Sequence, residues 1–328
     1  MLLSCFLLIA GLALIILGGD LFVSASVRIA EFLKVPRIVI GSTLVSLATT
    51  SPELVVAVVS GLRGASGLAV GNAVGSCVCN IGLILGLMAV LKNVEVHRDA
   101  LRVPLMAMLG AGVMLLLMTL DLGLTRSQGL LLCGLGVVYF VYDFRRHHQR
   151  GSSLETVEAE QVEKEHLRGR GWFETGRGTA VQFAGGAILV VAGSKLLVDG
   201  AVTVATALGI PSIVIGLTLV AVGTSLPELV TAVSSSRKNV SDLAVGNILG
   251  ANVANLTLII GSAASLNDVV LSRTTQMFNF PSLLLCMAIV VYAVYAGGRV
   301  TRRRGVFLLG FYGLYLAGIL VMTILGRA

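Results

Sequence analysis

Residues 36–86 and 211–261 align without a gap at a constant offset of 175, and 28 of the 51 paired positions are identical. The segment "PRIVIGSTLVSLATTSPELVVAVVS" is answered by "PSIVIGLTLVAVGTSLPELVTAVSS", and "LAVGNAVGSCVCNIGLILG" by "LAVGNILGANVANLTLIIG". Whatever fold this chain adopts must therefore contain one unit twice. How the two copies are related depends on the medium around them, and composition identifies that medium. Of 328 residues, 56% are hydrophobic and 12% charged, with a mean hydropathy of +0.94. Soluble domains average roughly 45–50% apolar and about 25% charged residues, so the chain reads as a polytopic membrane protein and not as a soluble enzyme. Its 39 glycines suit helices that pack closely through small residues.

A bilayer core of about 30 Å takes roughly 20 helical residues to cross. Runs of that kind fall at 2–27, 37–60, 67–91, 103–120, 127–144, 179–199, 212–235, 243–265, 277–297 and 305–325, ten in all. The first, "MLLSCFLLIAGLALIILGG", has no basic leader and no A-x-A cleavage site, and reads as a retained helix rather than a signal peptide. Five runs lie in a first repeat, 1–144, and five in a second, 179–328, with a charged linker at 145–178 between them. Because five is odd, the second repeat enters the membrane from the opposite side, and the repeats are inverted. Inverted repeats are characteristic of secondary transporters, with the binding site near the midplane at the repeat interface.

Basic residues orient the chain. With both termini outside, 19 of the 24 Lys and Arg residues fall in cytoplasmic connections, which is the arrangement the positive-inside rule favours. The net charge of +7 then requires no nucleic acid partner. The linker is mixed in charge, with a short amphipathic stretch around 154–167, and its adjacent His147 and His148 read as solvated side chains. The five cysteines, Cys5, Cys77, Cys79, Cys133 and Cys286, all lie in apolar runs, where thiols behave as small hydrophobes.

Each repeat carries one carboxylate in mid-span, Glu53 and its mate Glu228. A charge at that depth costs about 2.5–3.5 kcal/mol on insertion scales, and such residues normally line an ion or substrate path. Thr49 and Thr224 stand four residues earlier, where a helix places hydroxyl and carboxylate on one face. Pro52 and Pro227 lack the helical N–H, which should free carbonyls near Leu47 and Ala48, and near Val222 and Gly223. The next helix of each half supplies Asn72, Ser76 and Asn80, then Asn247 and Asn255, with Gly71/Gly75 and Gly246/Gly250 as small-residue faces for approach to the Glu-bearing helix. Glu53, Glu228, Thr49, Thr224, Asn80 and Asn255 are all oxygen donors, the set that suits hard cations such as Ca²⁺. Two glutamates match one divalent or two monovalent ions, which is what an antiporter requires.

With the motifs "ATTSPELVVAVVSG…LAVGNAVGSCVCNIGLILG" and "VGTSLPELVTAVSS…LAVGNILGANVANLTLIIG", the chain resembles the calcium/cation antiporter superfamily, in its prokaryotic sodium/calcium exchanger branch. That resemblance implies an all-α membrane protein of ten transmembrane helices in two inverted five-helix repeats, the sodium/calcium exchanger fold. It implies Ca²⁺ and Na⁺ as transported ions with no cofactor, and ligands at Thr49, Thr50, Glu53, Ser76 and Asn80 in the first repeat and at Thr224, Ser225, Glu228 and Asn255 in the second. Ser46 and Ala221 match positions that contribute backbone carbonyls. In the family the first and sixth spans slide as a pair against the other eight. The chain departs from the pattern at Ala48 and Thr50 in the first motif, at Asn255 where some relatives carry Asp, and at Ala251 and Cys77 where Ser and Asn are frequent.

The functional expectation is exchange of Ca²⁺ for Na⁺ across a plasma or inner membrane by a protein for which a monomer suffices. The alternative on the same fold is exchange of Ca²⁺ or another divalent cation for H⁺, since a carboxylate withdrawn from water can carry a proton in place of sodium. The G-T-S-x-P-E pattern resembles the sodium branch more than the proton branch, whose equivalent is G-N-x-x-E. A cation channel is a third reading. An enzyme is not expected, because the spans hold no Ser/His, paired-Asp or H-E-x-x-H arrangement, and all four histidines fall in the connections.

Overall fold

The computed structural model describes residues 2–64, 66–92, 94–95, 98–150, 176–208 and 221–324. Nearly all of them are helical. In hydrocarbon each backbone N–H and C=O must find its partner inside its own segment, and a helix achieves this whatever the side chains. The helices are α1 (Leu2–Leu33), α2 (Arg37–Thr49), α3 (Ser51–Leu62), α4 (Ser66–Leu91), α5 (Arg98–Met118) and α6 (Arg126–Arg150) in the first half. In the second they are α7 (Gly176–Ala207), α8 (Ala221–Thr224), α9 (Leu226–Arg237), α10 (Ser241–Leu266), α11 (Thr275–Gly297) and α12 (Arg302–Ile324).

Among the described residues eight helices are long and apolar enough to cross a membrane on their own, and α2 with α3 makes a ninth span bent by 46°. The tenth expected span, 212–235, is represented by α8 and α9; its first part lies outside the described residues. So do the amphipathic stretch at 154–167 and the side chains of His147 and His148, although α6 itself continues through Arg150.

Two small ribbons fix how the halves are arranged. Val94–Glu95 (β1) pairs antiparallel with Arg299–Val300 (β4), and Gly123–Leu124 (β2) with Val269–Val270 (β3). Moving β1 by the repeat offset of 175 lands on β3, yet the two strands lie in different ribbons, each paired to the other half of the chain. The connection at 92–95 also reaches across to the α9–α10 turn, where Lys92 Nζ donates to Asn239 Oδ1 at 2.7 Å. Connections around 66, 126 and 267–270 gather in the same way: Arg126 N–H donates to Asp268 Oδ1 at 3.0 Å and Ser66 Oγ to the Asn267 carbonyl at 3.4 Å. These are the two ends of an inverted pair.

The centre of the bundle is α4 and α10. Their spans are 72% and 94% buried, against 33% for α1 and 22% for α7, which lie along each other at one side. Glycine makes that peripheral contact possible. A Cβ on Gly11 would sit 2.8 Å from the Gly193 carbonyl, and one on Gly18 would sit 3.0 Å from the Gly186 carbonyl. Gly11 and Gly186 are offset by 175, as are Gly18 and Gly193, so the repeat extends well before residue 36 and the α1–α7 contact is symmetric.

The small-residue faces of α4 and α10 differ from expectation in one respect. Gly246 and Gly250 do let α10 approach a Glu-bearing helix, but it is the one of the other repeat. A Cβ on Gly246 would meet Ser42 N at 3.0 Å and one on Gly250 would meet Ser46 Oγ at 2.6 Å, so α10 lies directly on α2. A Cβ on Gly71 or Gly75 would meet no described atom of another element within 4 Å.

Candidate cation site

The site begins at a helix break. At Thr50 the backbone leaves the helical region (φ −83°, ψ 5°), α2 ends, and Pro52 stands in the first turn of α3, where its missing N–H has no partner to lose. The second repeat copies this: Ser225 has φ −90° and ψ 8°, followed by Pro227. Glu53 and Glu228 thereby fall in the first turns of α3 and α9. The unpaired N–H groups of a helix start favour negative charge, so the break gives each buried carboxylate the one backbone position that supports it. Glu53 is 1% exposed and Glu228 fully buried, and each lies within electrostatic reach of the other.

The carbonyls behave differently from the expectation. Ala48 O is taken by Ser51 Oγ at 2.8 Å. Ser46 O accepts the Thr50 N–H at 2.9 Å, Thr50 Oγ1 at 2.7 Å and Thr49 Oγ1 at 3.3 Å. A proline break frees acceptors, but neighbouring hydroxyls are close enough to fill them. For Ser46 to bind an ion through its carbonyl, Thr49 and Thr50 must first turn their hydroxyls toward the same ion. Of Ala221 only the backbone is described, at the start of α8.

The hydroxyl beside each carboxylate is not the one four residues before it. Thr49 does not face Glu53: it donates to Asn247 Oδ1 at 3.0 Å and lies beside Glu228. Ser76 lies beside Glu53 and within 3.4 Å of Thr224 Oγ1. Asn80 Nδ2 donates to Asn252 Oδ1 at 3.1 Å, while Asn255 sits beside the Cys77 thiol. Cys77 and Asn252 are themselves repeat mates and touch, Sγ to carbonyl at 3.7 Å, which places the symmetry axis between them. Both asparagines open a widened π-type turn, Asn80–Leu85 and Asn255–Ile259, the kind of irregularity that re-aims side chains at functional positions.

What distinguishes the cluster is unmet bonding capacity. Both carboxylate oxygens of Glu53 and of Glu228, Asn80 Oδ1, both polar atoms of the Asn255 amide, Asn247 Nδ2 and Ser225 Oγ are buried with no hydrogen-bond partner. Each buried group left without a partner costs about 1–3 kcal/mol, more for a charged one, so seven acceptors gathered at a repeat interface describe a site built to receive positive charge. Among the described residues no three His, Cys, Asp or Glu side chains come together. Of the expected residues, Thr49 lies beside Glu228, Ser76 lies beside Glu53 and within 3.4 Å of Thr224, and Thr50 is turned back on its own helix.

Two residues were not singled out by sequence reasoning. Asn252 orients Asn80 and holds Met108 Sδ at 3.5 Å from its own Nδ2; its signal was an amide in mid-span opposite Cys77 in the repeat. Asp143 is fully buried in α6 and accepts a hydrogen bond of 2.6 Å from Ser42 Oγ, tying α6 to the start of the second span. Its signal was a carboxylate inside the fifth apolar run.

The sodium/calcium exchanger protein family matches this chain over residues 3–145 and 178–321, nearly all of it outside the linker. The chain belongs to the sodium/calcium exchanger family. Among exchanger relatives, the sodium/calcium exchanger MaX1 of Methanosarcina acetivorans is 30% identical over 340 residues, covering 94% of this chain and 96% of that one. The inner membrane protein YrbG of Escherichia coli (strain K12) is 33% identical over 323 residues, 97% of each chain. The sodium-calcium exchanger NCX_Mj, from crystals soaked with zero Na⁺ and Ca²⁺, superposes with a TM-score of 0.81 at 28% identity, covering 97% of this chain and 99% of that one. The exchanger fold accounts for the inverted halves, the two broken spans and the central α4–α10 pair.

Proposed function

We propose that this exchanger is a secondary active antiporter that moves Ca²⁺ in one direction and Na⁺ in the other by alternating access, with both ions as substrates, no cofactor and no covalent chemistry. The observation that carries the reading is the facing pair Glu53 and Glu228, buried, each at a helix start, with all four carboxylate oxygens unpartnered. One Ca²⁺ neutralises that pair, and two Na⁺ neutralise it equally well, so the two ions exclude each other by charge balance. The ligand set is Glu53, Glu228, Thr49, Thr50, Ser76, Asn80, Thr224, Ser225 and Asn255, with carbonyls of Ser46 and Ala221. Membership of the sodium/calcium exchanger family supports the choice of ions. The distribution of basic residues supports an inner-membrane orientation with both termini outside and the 145–178 linker cytoplasmic. In this scheme a monomer suffices.

The test is reconstitution in liposomes. Radiolabelled Ca²⁺ uptake is measured against an outward Na⁺ gradient, against a pH gradient, and with neither. Uptake driven by the Na⁺ gradient is expected; uptake that follows the pH gradient alone makes the proton the counter-ion, and uptake that needs no counter-gradient makes the protein a channel.

A further inference from the structure

A groove of about 480 Å³ opens on the membrane-facing surface between α11 and α12, lined by Ala288, Ile289, Tyr292, Arg303, Arg304 and Phe307. It lies far along the chain from every ligand discussed above, and the transport mechanism makes no use of it. Its walls are of two kinds. The floor is aliphatic and aromatic, with Tyr292 at 68% exposure and Phe307 at 60%. The rim is cationic, formed where α12 begins immediately after the β4 strand.

The two arginines at the rim do different work. Arg304 is built into the protein: its Nη1 donates to the Ala293 carbonyl at 3.0 Å and the Arg299 carbonyl at 2.8 Å, and its guanidinium stands 5.8 Å over the Tyr292 ring. Those contacts tie the first turn of α12 to the C-terminal part of α11 and to β4. Arg303 is exposed, and no side-chain partner for it is found among the described residues. Around it positive charge predominates: four arginines fall between 299 and 304, Glu95 stands opposite Arg299 in the ribbon, and the sequence holds no Asp or Glu from 269 to its last residue. The start of α12, a helix of 23 residues, adds its own positive end at the same place.

We infer that this groove is a binding site for an anionic phospholipid, with one acyl chain along Ala288, Ile289 and Phe307 and the headgroup phosphate on Arg303. The apolar floor faces the bilayer, so the phase that fills it is lipid. A cationic rim at the level of exposed tyrosines, where headgroups lie, selects the anionic species. An arginine whose donors are unspent binds a phosphate through paired N–H groups, which a zwitterionic headgroup partly offsets with its own cation. α12 also runs behind the wide turn that Asn80 opens, with the Tyr312 side chain against Gly82.

The purified full chain, stripped of lipid in detergent, is titrated with phosphatidylglycerol or with phosphatidylcholine of the same acyl chains, and retained lipid is counted by native mass spectrometry. Wild type should retain phosphatidylglycerol in preference. Arg303→Gln should weaken that retention about fivefold, the worth of one arginine beside an anionic surface, and leave phosphatidylcholine unaffected. Ala288→Trp, which fills the apolar floor, should reduce both. Both positions are exposed, and each variant is checked for a single monodisperse species. Equal retention of the two lipids by wild type, unchanged retention in both variants, or displacement of the lipid by inorganic phosphate would each overturn the site.

Discussion

Thr49 lies beside the carboxylate of the opposite repeat, and Ser76, beside Glu53, reaches the Thr224 hydroxyl of the opposite repeat; this crossing decides how single substitutions should behave. Glu53→Gln or Glu228→Gln keeps the volume and removes the charge that balances Ca²⁺. Either variant is expected to reduce Ca²⁺ uptake to that of empty liposomes while its thermal unfolding stays at or above the wild-type temperature, because a buried carboxylate without a partner becomes a neutral amide. Uptake at the wild-type rate in either would remove the pair from the site. The Thr49–Asn247 bond of 3.0 Å joins the halves, so Thr49→Val and Asn247→Ala should be non-additive in the Ca²⁺ concentration for half-maximal uptake. A double-mutant cycle should give a coupling of about 0.5–3 kcal/mol, the range for residues in one network; additive effects would deny the contact. Both glutamates were legible in the sequence, since a charge in mid-span is costly and its exact copy at +175 is improbable. Their partners were not. Helical spacing puts Thr49 over Glu53, but the break at Thr50 turns the two onto separate helix axes, and which amide then meets Thr49 is settled by how α2 lies on α10.

Most elements could be read from hydrophobic length alone, and the exceptions have local causes. Apolar runs end where charges begin, yet α6 continues through Arg145, Arg146 and Arg150 and α1 through Arg28 and Glu31, because a helix emerging from hydrocarbon has no reason to stop until its sequence offers an end. Conversely, Pro52 marks the end of α2, but the 46° bend and the hydroxyls that refill the Ser46 and Ala48 carbonyls depend on Thr49, Thr50 and Ser51 acting together. The glycine faces were visible as a spacing, while their target was not, since spacing says that something approaches and not what. That approach carries a prediction at this scale. A methyl on Gly250 would lie 2.6 Å from Ser46 Oγ, with the Ser42 backbone nearer still, and a backbone cannot step aside as a side chain can. Gly250→Ala should therefore destabilise by about 1–3 kcal/mol, the usual cost of overpacking. A Cβ on Gly310 of α12 would meet no described atom of another element within 4 Å, and Gly310→Ala should be neutral or stabilising by up to about 1 kcal/mol through better helix propensity. Thermal midpoints in detergent compare them; equal midpoints would mean that α10 does not lie on α2 as closely as described.

At the scale of the molecule the two repeats are threaded through each other. Each ribbon, the α1–α7 and α2–α10 glycine seams, and the Thr49–Asn247 and Ser76–Thr224 contacts pair a residue of one half with a residue of the other, so the two halves meet at the site. The α1–α7 pair stands apart from this weave. Its long mutual contact is made through glycines related by the repeat, and among the described residues it touches the remaining helices far less. A pair bound more firmly to itself than to its surroundings can shift as one body, and the shift would open the carboxylates to one side of the membrane and then the other. Two links separate this from a pair that stays fixed. Arg28 Nη2 donates to Gln182 Oε1 at 2.9 Å, within the pair, whereas Lys238 Nζ lies 3.9 Å from Asp20 Oδ1 and joins α1 to the turn after α9. Cysteines placed at Arg28 and Gln182 and bridged by a short dithiol-specific reagent should leave Ca²⁺ uptake near the uncrosslinked rate. The same reagent across Asp20→Cys and Lys238→Cys, both partly exposed and on the bundle's surface, should stop transport, and reduction should restore it. The exposed salt bridge lost in that second variant is worth under about 1 kcal/mol, so the uncrosslinked protein should transport normally and isolate the effect of the bridge. If both bridges are tolerated, access alternates without relative motion of α1 and the α9–α10 core; if both arrest transport, α1 and α7 move against each other and the glycine seam is a sliding surface.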